Sequence, residues 1–148
     1  SNMLKEHKLN HQESMKLRDK MEHILVSKEC YTNIFHAIMH SDGKFTNGEW
    51  KIAYGYLNVL DGESIMARHC FIVNSEGEAI DPTLMNISGY QEGQDRGHVS
   101  FAVFESTSEY LDAVSANNNF PDLIKRFRKL ENQVSEKWAQ ENGRVLIR

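Results

Sequence analysis

The stretch MARHCFIVNSEGEAIDPTL, residues 66–84, joins a run of strand-forming residues to a turn and a second short run. A three-residue loop at 75–77 is a common hairpin closure, and it places Gly77 at the position that needs a left-handed backbone. We therefore predict a hairpin in which Asn74 lies opposite Glu78. Its two strands cover residues 67–74 and 78–81.

The loop length also determines which side chains share a face of this hairpin. Counting back from the turn sets Phe71 opposite Asp81 and His69 opposite Thr83, so His69 and Asp81 are diagonal neighbours on one face. Such residues lie roughly 7–8 Å apart at the backbone, within reach of an imidazole and a carboxylate. Because Pro82 favours an extended backbone before it, we expect Asp81 to hold the His69 ring and leave one ring nitrogen free as a base.

Cys30 is the candidate nucleophile for this pair. Ser27 is a suitable N-cap for a helix that Gly43 ends, and Cys30 would then lie in the first turn. Backbone amides and the positive end of the helix dipole stabilise a thiolate there. A lone cysteine is more often a packed thiol, so the triad depends on the three residues together. Cys70, one residue out of phase with His69, points to the other face and is expected to be packed.

This order, a cysteine on a helix, a histidine on a strand and an aspartate on the next strand, resembles the papain-like superfamily. The short spacings look most like its transglutaminase-like branch, over about a third of the chain. The resemblance implies that Cys30 forms a thioester, that His69 acts as general base and then acid, and that Asp81 orients the imidazole. The glycine-rich surroundings of the papain cysteine are absent, and Ile24 occupies the nearby upstream position at which an oxyanion glutamine is sought. The Cys30 backbone amide is therefore the expected oxyanion donor.

Two further strands are predicted beside the hairpin, at residues 51–59, with a stop at Asp61 and Gly62, and in GHVSFAVFES at 97–106. A short helix is predicted for TSEYLDAVSA. From Pro121 onward, apolar residues recur at helical spacing up to Gly143, which predicts an amphipathic helix whose Phe127 and Trp138 pack on the sheet. The apolar residues of this helix are Leu123, Phe127, Leu130, Val134 and Trp138.

These elements predict an α+β fold: an N-terminal helix carrying the cysteine, an antiparallel sheet of about four strands and a C-terminal amphipathic helix. The resemblance implies a papain-like or transglutaminase-like core. Residues 3–23 are polar with an irregular apolar face and are expected to form a mobile arm or a marginal helix. At 148 residues, we expect one domain over 3–148, with Ser1 and Asn2 preceding a native start at Met3.

Other residues suggest weaker sites. His36 and His40 have a spacing that can chelate a metal, but Ala37 replaces the carboxylate of the zinc-protease motif and both point away from Cys30. We expect neither a metal nor a cofactor.

Tyr54 and Tyr56 share a strand face and could line a substrate groove, with core packing as the alternative. The loop NISGYQEGQDRG suits a substrate lid or a binding edge, and KRFRKLENQ is expected to be solvated helix surface.

Composition limits the classes of function. A net charge of −4 gives no electrostatic reason to expect nucleic acid, and no apolar run approaches the roughly 20 residues that cross a bilayer. With two cysteines and no signal-peptide core, the chain is expected to be cytoplasmic, without a disulfide framework or a membrane partner.

Two functional hypotheses follow. The first is a cysteine-dependent acyl-transfer enzyme, a hydrolase or transferase that acts on an amide, isopeptide or thioester bond of a peptide, a protein or a small molecule. The second is a non-catalytic module that binds a protein or ligand on the same fold. The sequence leaves open the substrate, the acceptor (water or an amine) and the oligomeric state.

Overall fold

The computed structural model describes residues 4–59, 64–87, 90–91 and 93–148. The expected start at Met3 and the strand stop at Asp61 and Gly62 lie outside these ranges. The described strands are β1 (Lys5–His7), β2 (Trp50–Asn58), β3 (Ile65–Asn74), β4 (Ala79–Ile80), β5 (His98–Val103) and β6 (Val145–Ile147). The described α-helices are α1 (His11–Met21), α2 (Cys30–Ala37), α3 (Pro82–Met85), α4 (Thr107–Ala116) and α5 (Arg128–Glu141).

The strands form one six-stranded sheet in the order β1-β5-β2-β3-β4, and β6 pairs with β3. The pairs along this path are antiparallel, whereas β6 runs parallel to β3. The predicted α+β class is thus confirmed, and so are four strands, β2 to β5, that pair antiparallel with one another. The strands β1 and β6 were not predicted, since three residues are too few to show a period of two. No helix of the described residues combines the length and apolar character that a membrane span requires.

The predicted hairpin turn is confirmed. Gly77 has a φ of +79°, and the Asn74 N–H donates to the Glu78 carbonyl at 3.0 Å. The strand β4, however, ends at Ile80, and Asp81 is the N-cap of α3. Thr83 therefore does not lie opposite His69 in a ladder, and that part of the register was wrong. Pro82 explains the change, because it is favoured in a first helical turn and has no N–H for a ladder bond.

The N-terminal segment is not a mobile arm. Asn10 caps α1 by accepting from the Glu13 N–H. The backbone beside Asn10 bonds to Ala79 in both directions at 2.8 Å, through the Asn10 N–H and the Lys8 carbonyl. Leu17 and Met21 are buried, so α1 lies against the body of the fold. Its apolar face looked irregular because Ser14, a polar residue, also occupies the buried face.

The helix that carries the candidate nucleophile is shorter than predicted. It begins at Cys30 with Glu29 as N-cap, not at Ser27. Lys28 has a φ of +66°, a left-handed backbone that cannot continue a right-handed helix. At its other end α2 stops at Ala37 and passes into a 3₁₀ turn, Ile38–His40. The expected end at Gly43 was therefore wrong as well.

The C-terminal helix begins later than Pro121, after a 3₁₀ turn at Ile124–Phe127. Phe127 and Trp138 are half-buried and pack against the main core, whereas Glu131 is fully buried. The expectation that residues 125–133 form only solvated surface was thus wrong at Glu131. This carboxylate accepts from Arg68 Nε at 2.9 Å and Arg68 Nη2 at 2.6 Å, which pairs α5 with strand β3.

Candidate active site

Cys30 is the first residue of α2 and is 7% exposed. The Asn33 N–H donates to the Glu29 carbonyl, which leaves the N–H groups of residues 30–32 without acceptors inside the helix. Glu29 makes no side-chain capping bond to them. The sulfur therefore lies beside a set of backbone donors at the positive end of a helix, an environment suited to an anion.

Asn33 fixes the position of this helix start. Its side-chain oxygen accepts from the Val26 N–H at 3.0 Å, and its amide nitrogen donates to the Val26 carbonyl at 2.9 Å. The same nitrogen donates to Thr83 Oγ1 at 3.0 Å. Asn33 itself is fully buried. One side chain thereby ties the loop before Cys30 to α3, the helix that Asp81 caps.

Asp81 holds His69 as expected, although by a different local structure. His69 Nε2 lies 2.7 Å from Asp81 Oδ2, and both residues are buried. The other carboxylate oxygen, Oδ1, accepts from the Leu84 N–H at 2.9 Å. The Asp81 N–H donates to Ser14 Oγ at 3.0 Å. The carboxylate is therefore oriented by both α3 and α1, and the imidazole is oriented by the carboxylate.

The buried pair is ionic. Burial by itself lowers the pKa of His69, but the charge of the Asp81 carboxylate and its hydrogen bond to the ring, with a further contribution from Cys30, outweigh burial and raise that pKa to about 10. For Asp81, burial acts to raise the pKa, and the two neighbouring imidazoles instead hold it far below its ordinary value. Since Nε2 binds Asp81, Nδ1 is the ring nitrogen left for the Cys30 thiol. His69 is thus held by Asp81, and it lines the same cavity as Cys30.

His98 is a fourth member of this cluster, and the sequence analysis missed it. Its Nε2 lies 2.6 Å from Asp81 Oδ2, and the side chain is fully buried. His98 lies in the strand predicted for GHVSFAVFES, and alternation along that strand puts it on the same face as Ser100. That face could be matched to His69 only once β2 was known to lie between β5 and β3. Gly55 lies opposite both His69 and Ser100, and a Cβ at this position would overlap the backbone of Val99 and Ser100.

His69, Asp81 and His98 also form the one group of three potential metal ligands in the described part of the chain. Tetrahedral zinc ligands, about 2.0–2.2 Å from the ion, lie roughly 3.3 Å from one another. The separations of 2.6 and 2.7 Å between the imidazole nitrogens and Asp81 Oδ2 are those of charge-assisted hydrogen bonds. The cluster as it stands therefore fits proton-sharing better than metal coordination. His36 and His40 are not part of this group, and the change from α2 to a 3₁₀ turn between them alters the i, i+4 spacing on which their predicted chelation depended.

A cavity of about 270 Å³ opens beside Cys30 and His69. Ile87 and Arg96, at the two ends of the polar loop predicted to be a lid or binding edge, both contribute to its wall. The remaining described lining residues are Lys28, Leu57, Asn58, Val59, Ala67, Arg68 and Thr83. The Cys30 thiol and the His69 imidazole thus share the wall of a cavity of small-molecule size.

Tyr54 and Tyr56, the weak candidates for substrate binding, are fully buried and do not line this cavity in the described residues. Tyr54 packs against Phe127, with ring centroids 5.0 Å apart, and the Tyr56 hydroxyl donates to Glu131. They belong to the core on the sheet face opposite His69. Cys70 lies on that same face, 1% exposed, and burial raises its pKa well above the ordinary value.

No family model matches the chain, and no curated protein and no solved structure is significantly similar to it.

Proposed function

We propose that this protein is a cysteine-dependent acyl-transfer enzyme with a papain-like arrangement of Cys30, His69 and Asp81. The observation that carries the proposal is the position of His69. Its Nε2 is held by a buried carboxylate, and its other nitrogen is left for a thiol at the start of a helix, on the wall of a cavity. This is the arrangement that nucleophilic catalysis by a thiol requires.

In the resting site His69 is an imidazolium, because its pKa of about 10 lies above neutral pH. The proton that the thiol loses is carried on Nδ1, and the Cys30 thiolate is then paired with a cation. The thiolate attacks the substrate carbonyl carbon, a C–S bond forms, and the carbonyl electron pair moves to oxygen. The N–H groups of the first turn of α2, with that of Cys30 nearest, are the donors available to this oxyanion.

Collapse of this intermediate restores the carbonyl and breaks the bond to the leaving group, which takes the Nδ1 proton of His69. The product is a thioester on Cys30. Water or an amine then attacks the thioester, and neutral His69 accepts the proton of the attacking group. Cleavage of the C–S bond regenerates the thiolate and the imidazolium. Throughout, Asp81 keeps Nε2 protonated and the ring in place.

The test compares the two thiols of one molecule. We expect iodoacetamide to alkylate Cys30 quickly at pH 6–7, and Cys70 only after unfolding, with the sites assigned by mass spectrometry. His69→Ala should slow the alkylation of Cys30 by about tenfold or more, because the thiolate loses its cation. The same substitution at the exposed His23 serves as the matched control and should leave the rate unchanged.

Equal, slow labelling of both cysteines, insensitive to His69→Ala, would exclude a catalytic thiol and favour the binding-module hypothesis. If Cys30 is reactive, incubation with thioester and amide substrates should yield an acyl-enzyme at Cys30. Its mass adduct should be lost in Cys30→Ser.

A further inference from the structure

We infer that the cavity beside Cys30 binds a carboxylate, so that the substrate is an acyl compound carrying a carboxylate near the scissile bond. The inference rests on the proposed function and names the substrate class of the same site. The group assigned to the carboxylate is the guanidinium of Arg96, with Lys28 at the edge of the cavity.

Arg96 is 6% exposed and makes no ion pair in the described part of the chain. One guanidinium nitrogen, Nη1, donates to the Val59 carbonyl at 2.9 Å, and Nε is buried without an acceptor. A buried cation normally has an anionic partner, because desolvation without one costs several kcal/mol. A guanidinium with an unused N–H on a cavity wall matches the geometry of a carboxylate ligand.

The other charges around the cavity do not supply that partner. The second arginine of the wall, Arg68, is already paired through two bonds with Glu131. Lys28 is exposed, lines the cavity and has no ion pair among the described residues. The described lining residues include no aspartate or glutamate. Among the described lining residues positive charge is therefore in excess, and a substrate carboxylate would balance it.

Asn58 gives a second sign of an incomplete wall. Its side-chain oxygen is buried without a hydrogen-bond donor, and the residue lines the same cavity. An N–H group of the substrate, such as that of an amide, would satisfy it. A volume of about 270 Å³ holds a small acyl group together with its carboxylate, either as a free acid or as the terminal residue of a peptide.

The experiment compares two alkylating agents that differ only in this charge. Iodoacetate carries a carboxylate, and iodoacetamide carries the neutral amide in its place; in both, the thiolate displaces iodide as the C–S bond forms. We expect iodoacetate to react with Cys30 with a saturating rate and to be preferred over iodoacetamide. Arg96→Gln should reduce the ratio of the two rates by about tenfold, the usual effect of losing one charge-assisted bond.

Arg128→Gln is the matched control, since it removes the same charge from an exposed position outside the described cavity wall. Both variants keep the His69 imidazolium. Attraction of iodoacetate by that cation therefore cannot cause a difference between them. If Arg96→Gln does not fold, Lys28→Gln at the exposed edge should still lower the ratio. If Arg96→Gln folds and its rate ratio is unchanged, the inference is overturned. If Arg96→Gln does not fold, an unchanged ratio in Lys28→Gln overturns it.

Protection identifies the source of the carboxylate. Succinate should slow iodoacetate labelling of Cys30 if the substrate is a small acid. Acetyl-alanyl-alanine should do so, and its C-terminal amide should not, if the substrate is a peptide end. If neither succinate nor acetyl-alanyl-alanine protects Cys30, each at the concentration at which iodoacetate saturates the labelling rate, the inference is contradicted. Failure of both alkylating agents to label Cys30 would instead contradict the proposed function.

Discussion

At the scale of single residues, Asp81 determines the chemistry of the site. Its Oδ1 caps α3 at the Leu84 N–H, and its Oδ2 accepts from both His69 and His98. No lone pair of this buried carboxylate faces water, since the residue is 0% exposed. The negative charge is thus compensated only by protein donors, and the proton affinity of His69 depends directly on it.

Asp81→Asn should therefore lower the pKa of His69 from about 10 to near or below its ordinary value of 6.5. The amide keeps a hydrogen-bond acceptor but removes the charge, after which burial dominates and favours the neutral imidazole. An NMR titration of the His69 ring carbon and proton measures the change. Asp112→Asn, an exposed change of the same kind, is the control. A His69 pKa that stays near 10 in Asp81→Asn would show that the carboxylate is not its main partner.

At the scale of the elements, the site depends on close contact between β2 and β5. A Cβ on Gly55 would lie 1.8 Å from the Val99 carbonyl oxygen and 2.7 Å from the Ser100 Cα. The ladder between β2 and β5 shifts register at this point, between Tyr54 and Gly55. Because Gly55 also pairs with His69, the absence of a side chain lets β5 bring His98 to Asp81.

Gly55→Ala should destabilise the fold by more than about 3 kcal/mol, because the overlap is with backbone atoms that cannot move independently. Gly48→Ala is the matched control: Gly48 has a φ of +86° and open space around its Cβ position, so only backbone strain of about 1 kcal/mol is expected. Denaturant unfolding of both variants measures the difference. Equal destabilisation would mean that β5 can move away from β2 at little cost.

At the scale of the whole molecule, both ends of the chain complete the site. Ser14 of α1 accepts a hydrogen bond from the Asp81 N–H. Near the other end of the chain, β6 pairs with β3, and Glu131 of α5 forms an ion pair with Arg68 of β3. The His69–Asp81 ion pair lies between these parts and is buried, and so contributes to the stability of the entire fold. Its contribution must vary with pH because both pKa values change on folding.

The pKa of His69 is raised on folding, so the stability it contributes is fully present below about pH 6.5 and is lost as the pH rises through about 10. The pKa of Asp81 is lowered, so its contribution is present above about pH 3.8 and is lost as the pH falls further. The difference in unfolding free energy between the wild type and His69→Gln should therefore be largest at pH 5–6 and shrink toward pH 10.

Urea unfolding at pH 5.5, 8 and 10 tests this, with His23→Gln as the baseline for removing an exposed imidazole. A difference that grows as the pH rises from 6.5 to 10 would contradict a buried imidazolium.

The sequence was sufficient where local chemistry decides. Gly77 determined the hairpin turn, the turn determined the register, and the register placed His69 and Asp81 on one face. The strand prediction failed after Ile80, because Pro82 starts a helix instead of continuing the strand. Asp81 still reached His69, because an N-cap carboxylate has a second oxygen free for another donor.

By itself, then, the sequence determined the α+β class, the hairpin and the pairing of the imidazole with the carboxylate, because strand alternation and turn geometry act over a few residues. Only the tertiary structure decided that His98 joins Asp81, that Glu131 is buried against Arg68, and that Arg96 shares a cavity with Cys30. Those contacts join residues at least 17 positions apart in the chain, and they depend on strand order and helix docking. No short-range pattern records that order, because it follows from how all the elements pack together.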